Sequence, residues 1–104
     1  MTEIELELKN ELERVTATAL YDAYEVSYEI TEAIVRLMEA KGVKRAQLAR
    51  TMGVSRSYVT QVLSGSVNIT IRKFVEVCHA LSENPRAVLA DCFQAYHTKI
   101  AGLV

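Results

Sequence analysis

Five polar side chains in one short stretch, Arg56, Ser57, Tyr58, Thr60 and Gln61, have types and spacing that suggest a chemical task. None is a nucleophile backed by a nearby base. Together they are hydrogen-bond donors and acceptors of the kind that read base edges in the major groove. The forked guanidinium of Arg56 can bond two acceptors of a guanine at once, and Gln61 can pair with adenine through its amide. Thr60 can offer a methyl to thymine, and Ser57 shares the outward face. Arg56 is the foremost base contact, although the same position could clamp a phosphate at the groove edge. Tyr58 could stack, donate to a phosphate or pack on a partner subunit; the phosphate contact is placed first.

Such a set works only if a rigid element presents it. Val59 among these residues and Val62 and Leu63 directly after them repeat at helical spacing and predict a helix from Ser55 to Ser64 with the polar set outward. Just before it, Leu48, Ala49 and Met52 form a second apolar face at the same spacing. The link is Gly53-Val54-Ser55. Gly53 can take the left-handed conformation that ends the first helix, and Ser55 can cap the second. Ala49 is small enough to let the two helices cross closely. RAQLARTMGVSRSYVTQVLSG, from Arg45 to Gly65, is therefore the sequence form of a helix-turn-helix DNA reader.

The formal net charge of −1 conceals a division along the chain. Residues 1–40 hold ten acidic residues against three basic ones, whereas residues 41–104 hold nine basic against three acidic. No acid occurs between Glu39 and Glu76. Lys41, Lys44, Arg45, Arg50, Arg56, Arg72 and Lys73 can thus surround phosphates flanking the inserted helix, which would make binding steeply salt-dependent.

The pattern Leu48-Ala49, Met52-Gly53-Val54-Ser55, Val59, Val62-Leu63, Gly65 and Asn68-Ile69-Thr70 resembles the phage-repressor-like, xenobiotic-response-element class of bacterial regulators, over residues 30–82. The resemblance implies double-stranded DNA as partner, with the helix from Ser55 to Ser64 in the major groove. It also implies backbone contacts from Ser64 and Asn68, past the end of that helix. Many members carry Thr-Gln at the start of the motif's first helix, where this chain has Lys44-Arg45; these two are assigned to phosphate. The segment Tyr24-Glu25-Val26-Ser27-Tyr28-Glu29-Ile30 also looks like the lead-in of HigA-type antitoxins, which neutralise a toxin partner and regulate their own operon.

Around the motif the sequence predicts an all-α, compact five-helix repressor-like unit with an N-terminal helical arm and a C-terminal helix. The divisions are 1–28 for the acidic arm and lead-in, 29–82 for the reader and 83–104 for the last helix. Ile4, Leu8, Leu12, Val15 and Ala19 form one helical stripe, although Ile4 to Leu8 alternates as a strand would. Leu20, Tyr21, Tyr24 and Tyr28 add an aromatic edge, and Ile30, Ile34, Leu37 and Met38 face the core. A fourth helix from Thr70 should bury Ile71, Phe74, Val77, Cys78 and Leu81, with Thr70 as its cap. After Pro85 a final helix carries Val88, Leu89, Cys92, Phe93, Tyr96 and Ile100. Both the arm and this helix are candidates for dimerisation, the other use being to cover the same subunit.

Cys78 and Cys92 lack the close spacing of a zinc site, and neither His79 nor His97 has a partner at catalytic spacing. No glycine-rich phosphate loop or paired carboxylate occurs. The sequence therefore predicts a protein that is not an enzyme and uses no metal or cofactor. Without an apolar run long enough for a membrane span, and with an acidic amino end, it reads as cytoplasmic. Its expected function is a homodimeric repressor on a palindromic operator, since one such motif reads few bases; the alternative is a toxin-neutralising protein that autoregulates.

Overall fold

The computed structural model describes residues 1–65 and 69–102. Five α-helices follow one another: α1 (Glu3–Lys41), α2 (Arg45–Met52), α3 (Arg56–Leu63), α4 (Ile71–Ala80) and α5 (Pro85–Ala101). The arm and the first helix of the reader are a single rod, unbroken across residue 28. It is 39 residues long and starts at a capping box in which Thr2 and Glu5 satisfy each other's backbone N–H groups. At roughly 1.5 Å per residue its length accounts for the molecule's longest dimension, 58 Å.

The rod is continuous because its apolar stripe is continuous. Beyond Ala19 the stripe runs on through Ala23, Val26, Ile30, Ile34 and Leu37, with spacings that repeat as four, four and three. That eleven-residue period matches a nearly straight helix, so one face stays aligned from end to end. Only its C-terminal part is covered. Residues 1–26 are all exposed, whereas Ile34 and Met38 are buried among α2 to α5. The Ile4-to-Leu8 segment is helical, not a strand.

The core gathers Ile34, Leu48, Val59, Phe74, Val77 and Cys78, one layer from each of the first four helices, with Val88 and Cys92 of α5 closing it. Helix α4 departs from expectation at its first residue, because Ile71 is 84% exposed. It directly follows the Thr70 cap, whose hydroxyl accepts the Lys73 N–H at 3.0 Å, and the core begins one turn later at Phe74. Helix α5 starts at the Asn84 cap with Pro85 in its first turn. Only Val88 and Cys92 of its stripe are buried; Phe93, Tyr96 and Ile100 remain exposed.

Candidate nucleic-acid interface

Helices α2 and α3 are joined by a turn that closes the end of one helix and caps the start of the next. The Val54 N–H donates to the Ala49 carbonyl at 3.0 Å and the Gly53 N–H to that of Arg50 at 3.2 Å. Gly53 reaches this geometry at φ +68°, which an L side chain would resist. Ser55 then accepts the Tyr58 N–H at 3.0 Å and starts α3. Leu48, Ala49 and Val59 are buried, and Val54 and Val62 half-buried. Leu48, Val59, Val62 and Leu63, with Met52, Tyr58 and Val77, enclose a void of only about 10 Å³. That is far too small for an organic ligand.

With its apolar positions committed inward, α3 presents Arg56, Ser57, Thr60 and Gln61 to solvent. Arg56 forms no ion pair among the described residues. Tyr58 is placed differently from these four. It is half-buried at the α2–α3–α4 junction, with the Lys73 ammonium 5.2 Å from its ring centroid. Lys73 in turn pairs with Glu76 at 2.7 Å, and that hydrogen bond, followed by one with Tyr58, raises its pKa. Ser64 caps the end of α3, its hydroxyl donating to the Gln61 carbonyl at 2.7 Å. Asn68 lies outside the described residues.

The acid-free zone keeps most of its cations unneutralised. Lys41 is tied to Glu83 at 2.8 Å and Lys73 to Glu76, but Lys44, Arg45, Arg50, Arg56 and Arg72 have no ion pair among the described residues. Lys44 occupies the cap position of α2 without capping it by its side chain. Gln47 serves instead: the Lys44 N–H donates to Gln47 Oε1 at 2.7 Å. The position of a Gln three residues after the cap was the available signal for this role. Lys44 is thus exposed and structurally uncommitted. Lys44→Ala should lower affinity for all duplexes alike and reduce the slope of log affinity against log salt by about one. Titrations at four or more salt concentrations check this, and a loss confined to one sequence would contradict it.

Two further side chains near the interface carry no sequence signature. Ser27 of α1, almost fully buried, accepts the Ile69 N–H at 3.0 Å, and Thr31 donates to the Tyr28 carbonyl at 2.9 Å. Elsewhere, Cys78 and Cys92 are buried thiols whose pKa values are raised by desolvation, which disfavours the reactive thiolate. Among the described residues, no three His, Cys, Asp or Glu side chains are grouped to hold a metal ion. No helix there is long and apolar enough to cross a membrane.

Comparison with known proteins agrees with this geometry. The family model described as Helix-turn-helix matches residues 34–87. Three solved chains are similar, of which two are described. One is the clp gene regulator ClgR from C. glutamicum, 24% identical with a TM-score of 0.62, covering 67% of this chain and 91% of that one. It speaks for the fold. The other is the restriction-modification controller protein C.AhdI from Aeromonas hydrophila, 28% identical with a TM-score of 0.54, covering 62% of this chain and 96% of that one. No curated protein is significantly similar. The matched residues make up just over half of the chain and contain the whole α2–turn–α3 unit, and on that ground the chain belongs to the Cro/C1-type helix-turn-helix family of DNA-binding transcription regulators.

Proposed function

We propose that the protein is a homodimeric repressor that sets two α3 helices in successive major grooves of a palindromic operator and occludes polymerase there. The observation that carries this reading is the outward face of α3. Arg56, Ser57, Thr60 and Gln61 are exposed together on a helix packed firmly from behind, at the centre of a zone without acids. In this reading Arg56, Ser57, Thr60 and Gln61 contact bases. Lys44, Arg45, Tyr58, Ser64 and Asn68 contact phosphates, and residues 29–82 are the reading unit.

A single reader covers too few base pairs for useful specificity, so a second copy is needed. Residues 1–28 and 83–104 are assigned to assembly. Support comes from the uncovered stripe of α1, where Ile4, Leu8, Leu12 and Val15 are exposed in line with residues that are core further along the same helix. Sedimentation velocity tests this. The full chain should run as a dimer, and deletion of residues 1–20 should shift it towards monomer. A dimer unchanged by the deletion would move assembly to α5, and a monomeric full chain would contradict the proposal.

The same arm supports a second reading, in which this helix neutralises a partner protein as in HigA-type antitoxins and DNA binding serves autoregulation. Residues 1–29 hold eight acidic residues against Lys9 and Arg14, and Arg14 is paired with Glu11. Such a surface suits a basic partner. Co-purification with a small basic protein that displaces the arm from self-association would favour it.

A further inference from the structure

The chain leaving α3 is seated on α1 at both of its described ends. On the α4 side, Ser27 is 4% exposed and accepts the Ile69 N–H at 3.0 Å, across 42 positions of sequence. On the α3 side, Gly65 approaches Tyr28 so closely that a Cβ built on it would lie 2.8 Å from Tyr28 Cδ2. Gly65 also has φ +73°, a conformation that an L side chain resists. Thr31, one turn beyond Ser27, completes the seat with its hydroxyl turned back to the Tyr28 carbonyl. One turn of the long helix therefore holds the exit of the reading helix and the entry of α4.

We propose that Ser27 and Gly65 are positioning residues for sequence reading, a role that rests on the DNA-reading assignment of α3. Two features fix the seat: the Ser27 hydrogen bond and the close approach that only a glycine permits. They lock α3, with its base-facing groups, in register with the start of α4, which carries the exposed Arg72. Removing the Ser27 hydroxyl leaves the half-buried Ile69 N–H without that acceptor and releases Ile69 from α1. Non-specific binding tolerates such looseness, because phosphates repeat along the duplex. Base contacts do not, because they require the polar set of α3 to meet particular positions while the flanking cations hold the backbone.

The experiment uses the full chain and a library of duplexes with random cores, from which the wild-type protein enriches its preferred site. Affinities for that duplex and for a scrambled one are then measured well below the melting temperature of each variant. Ser27→Ala should lower affinity for the enriched duplex by about tenfold and for the scrambled duplex by less than about twofold. Ser27→Thr, which keeps the hydroxyl, should recover most of the loss. Gly65→Ala should give the same selective loss, and Tyr28→Ala added to it should recover part by removing the clashing ring. This pair also tests the seat should Ser27→Ala fail to fold.

Equal losses on both duplexes, or a lowered melting temperature with the preference intact, would overturn the positioning role. If the wild-type chain enriches no sequence, the DNA-reading assignment fails, and the positioning role with it. Enrichment by the wild type followed by unchanged preference in the variants overturns the positioning role alone.

Discussion

Arg56→Ala should cost about 10- to 100-fold in affinity for a preferred duplex and much less for a scrambled one, the range of one bidentate Arg–guanine contact. The residue opens α3 directly after the Ser55 cap, is exposed, and forms no ion pair among the described residues. Its removal should therefore leave the melting temperature within a degree or two. That separates recognition from folding. Arg56→Lys sharpens the test, because it keeps the charge and discards the fork. It should restore scrambled-duplex binding while leaving most of the specific loss. If Arg56 clamps a phosphate instead, alanine would weaken both duplexes equally and flatten the salt slope, and lysine would rescue both.

The second large effect concerns stability. Ile34→Ala should destabilise the fold by about 2–5 kcal/mol, the usual cost of opening a cavity at a closed site. Ile34 has 0% exposure at the centre of the core. Set against the roughly 5–15 kcal/mol by which domains are normally stable, that is a large fraction of the total. Leu12 lies on the same stripe of the same helix but is 67% exposed. Leu12→Ala should change the unfolding free energy of the monomer by less than about 0.5 kcal/mol. Urea titrations at a concentration where the chain is monomeric check both, since dimerisation would add a concentration-dependent contribution. Comparable losses for the two would mean that the arm folds back onto its own subunit. Negligible loss for Ile34→Ala would contradict the core assignment itself.

Local signals in the sequence carried far. The α2–α3 turn was legible because Gly53 and Ser55 act through their own backbone and near neighbours, as do Thr70 and Asn84–Pro85 at the starts of α4 and α5. Helical period alone indicates the exposure of Arg56, Ser57, Thr60 and Gln61 on α3, but it also places Tyr58 outward, which packing against α4 half-buries beside Lys73. Most of what the sequence did not reveal depends on distant chain. The unbroken rod of α1 is the exception, since its eleven-residue stripe is a local pattern that runs on beneath the aromatic edge of Tyr21, Tyr24 and Tyr28. Ile71 belongs to the periodic pattern of α4 but stands one turn outside the core, a limit set by packing and not by period. The cations of the acid-free zone looked equivalent, yet Lys41 and Lys73 are claimed by Glu83 and Glu76. The pairing of Ser27 with Ile69 has no sequence signal, since nothing at either position announces the other.

The central claim is that α3 reads base sequence, and a fluorescence-anisotropy titration following selection from random-core duplexes at near-physiological salt tests it most directly. A base-reading α3 predicts enrichment of an inverted repeat with half-sites about one helical turn apart. It also predicts a preference over the scrambled duplex that persists as salt is raised. Failure to enrich any sequence, with weak and equal binding to both duplexes that added salt abolishes, would contradict it.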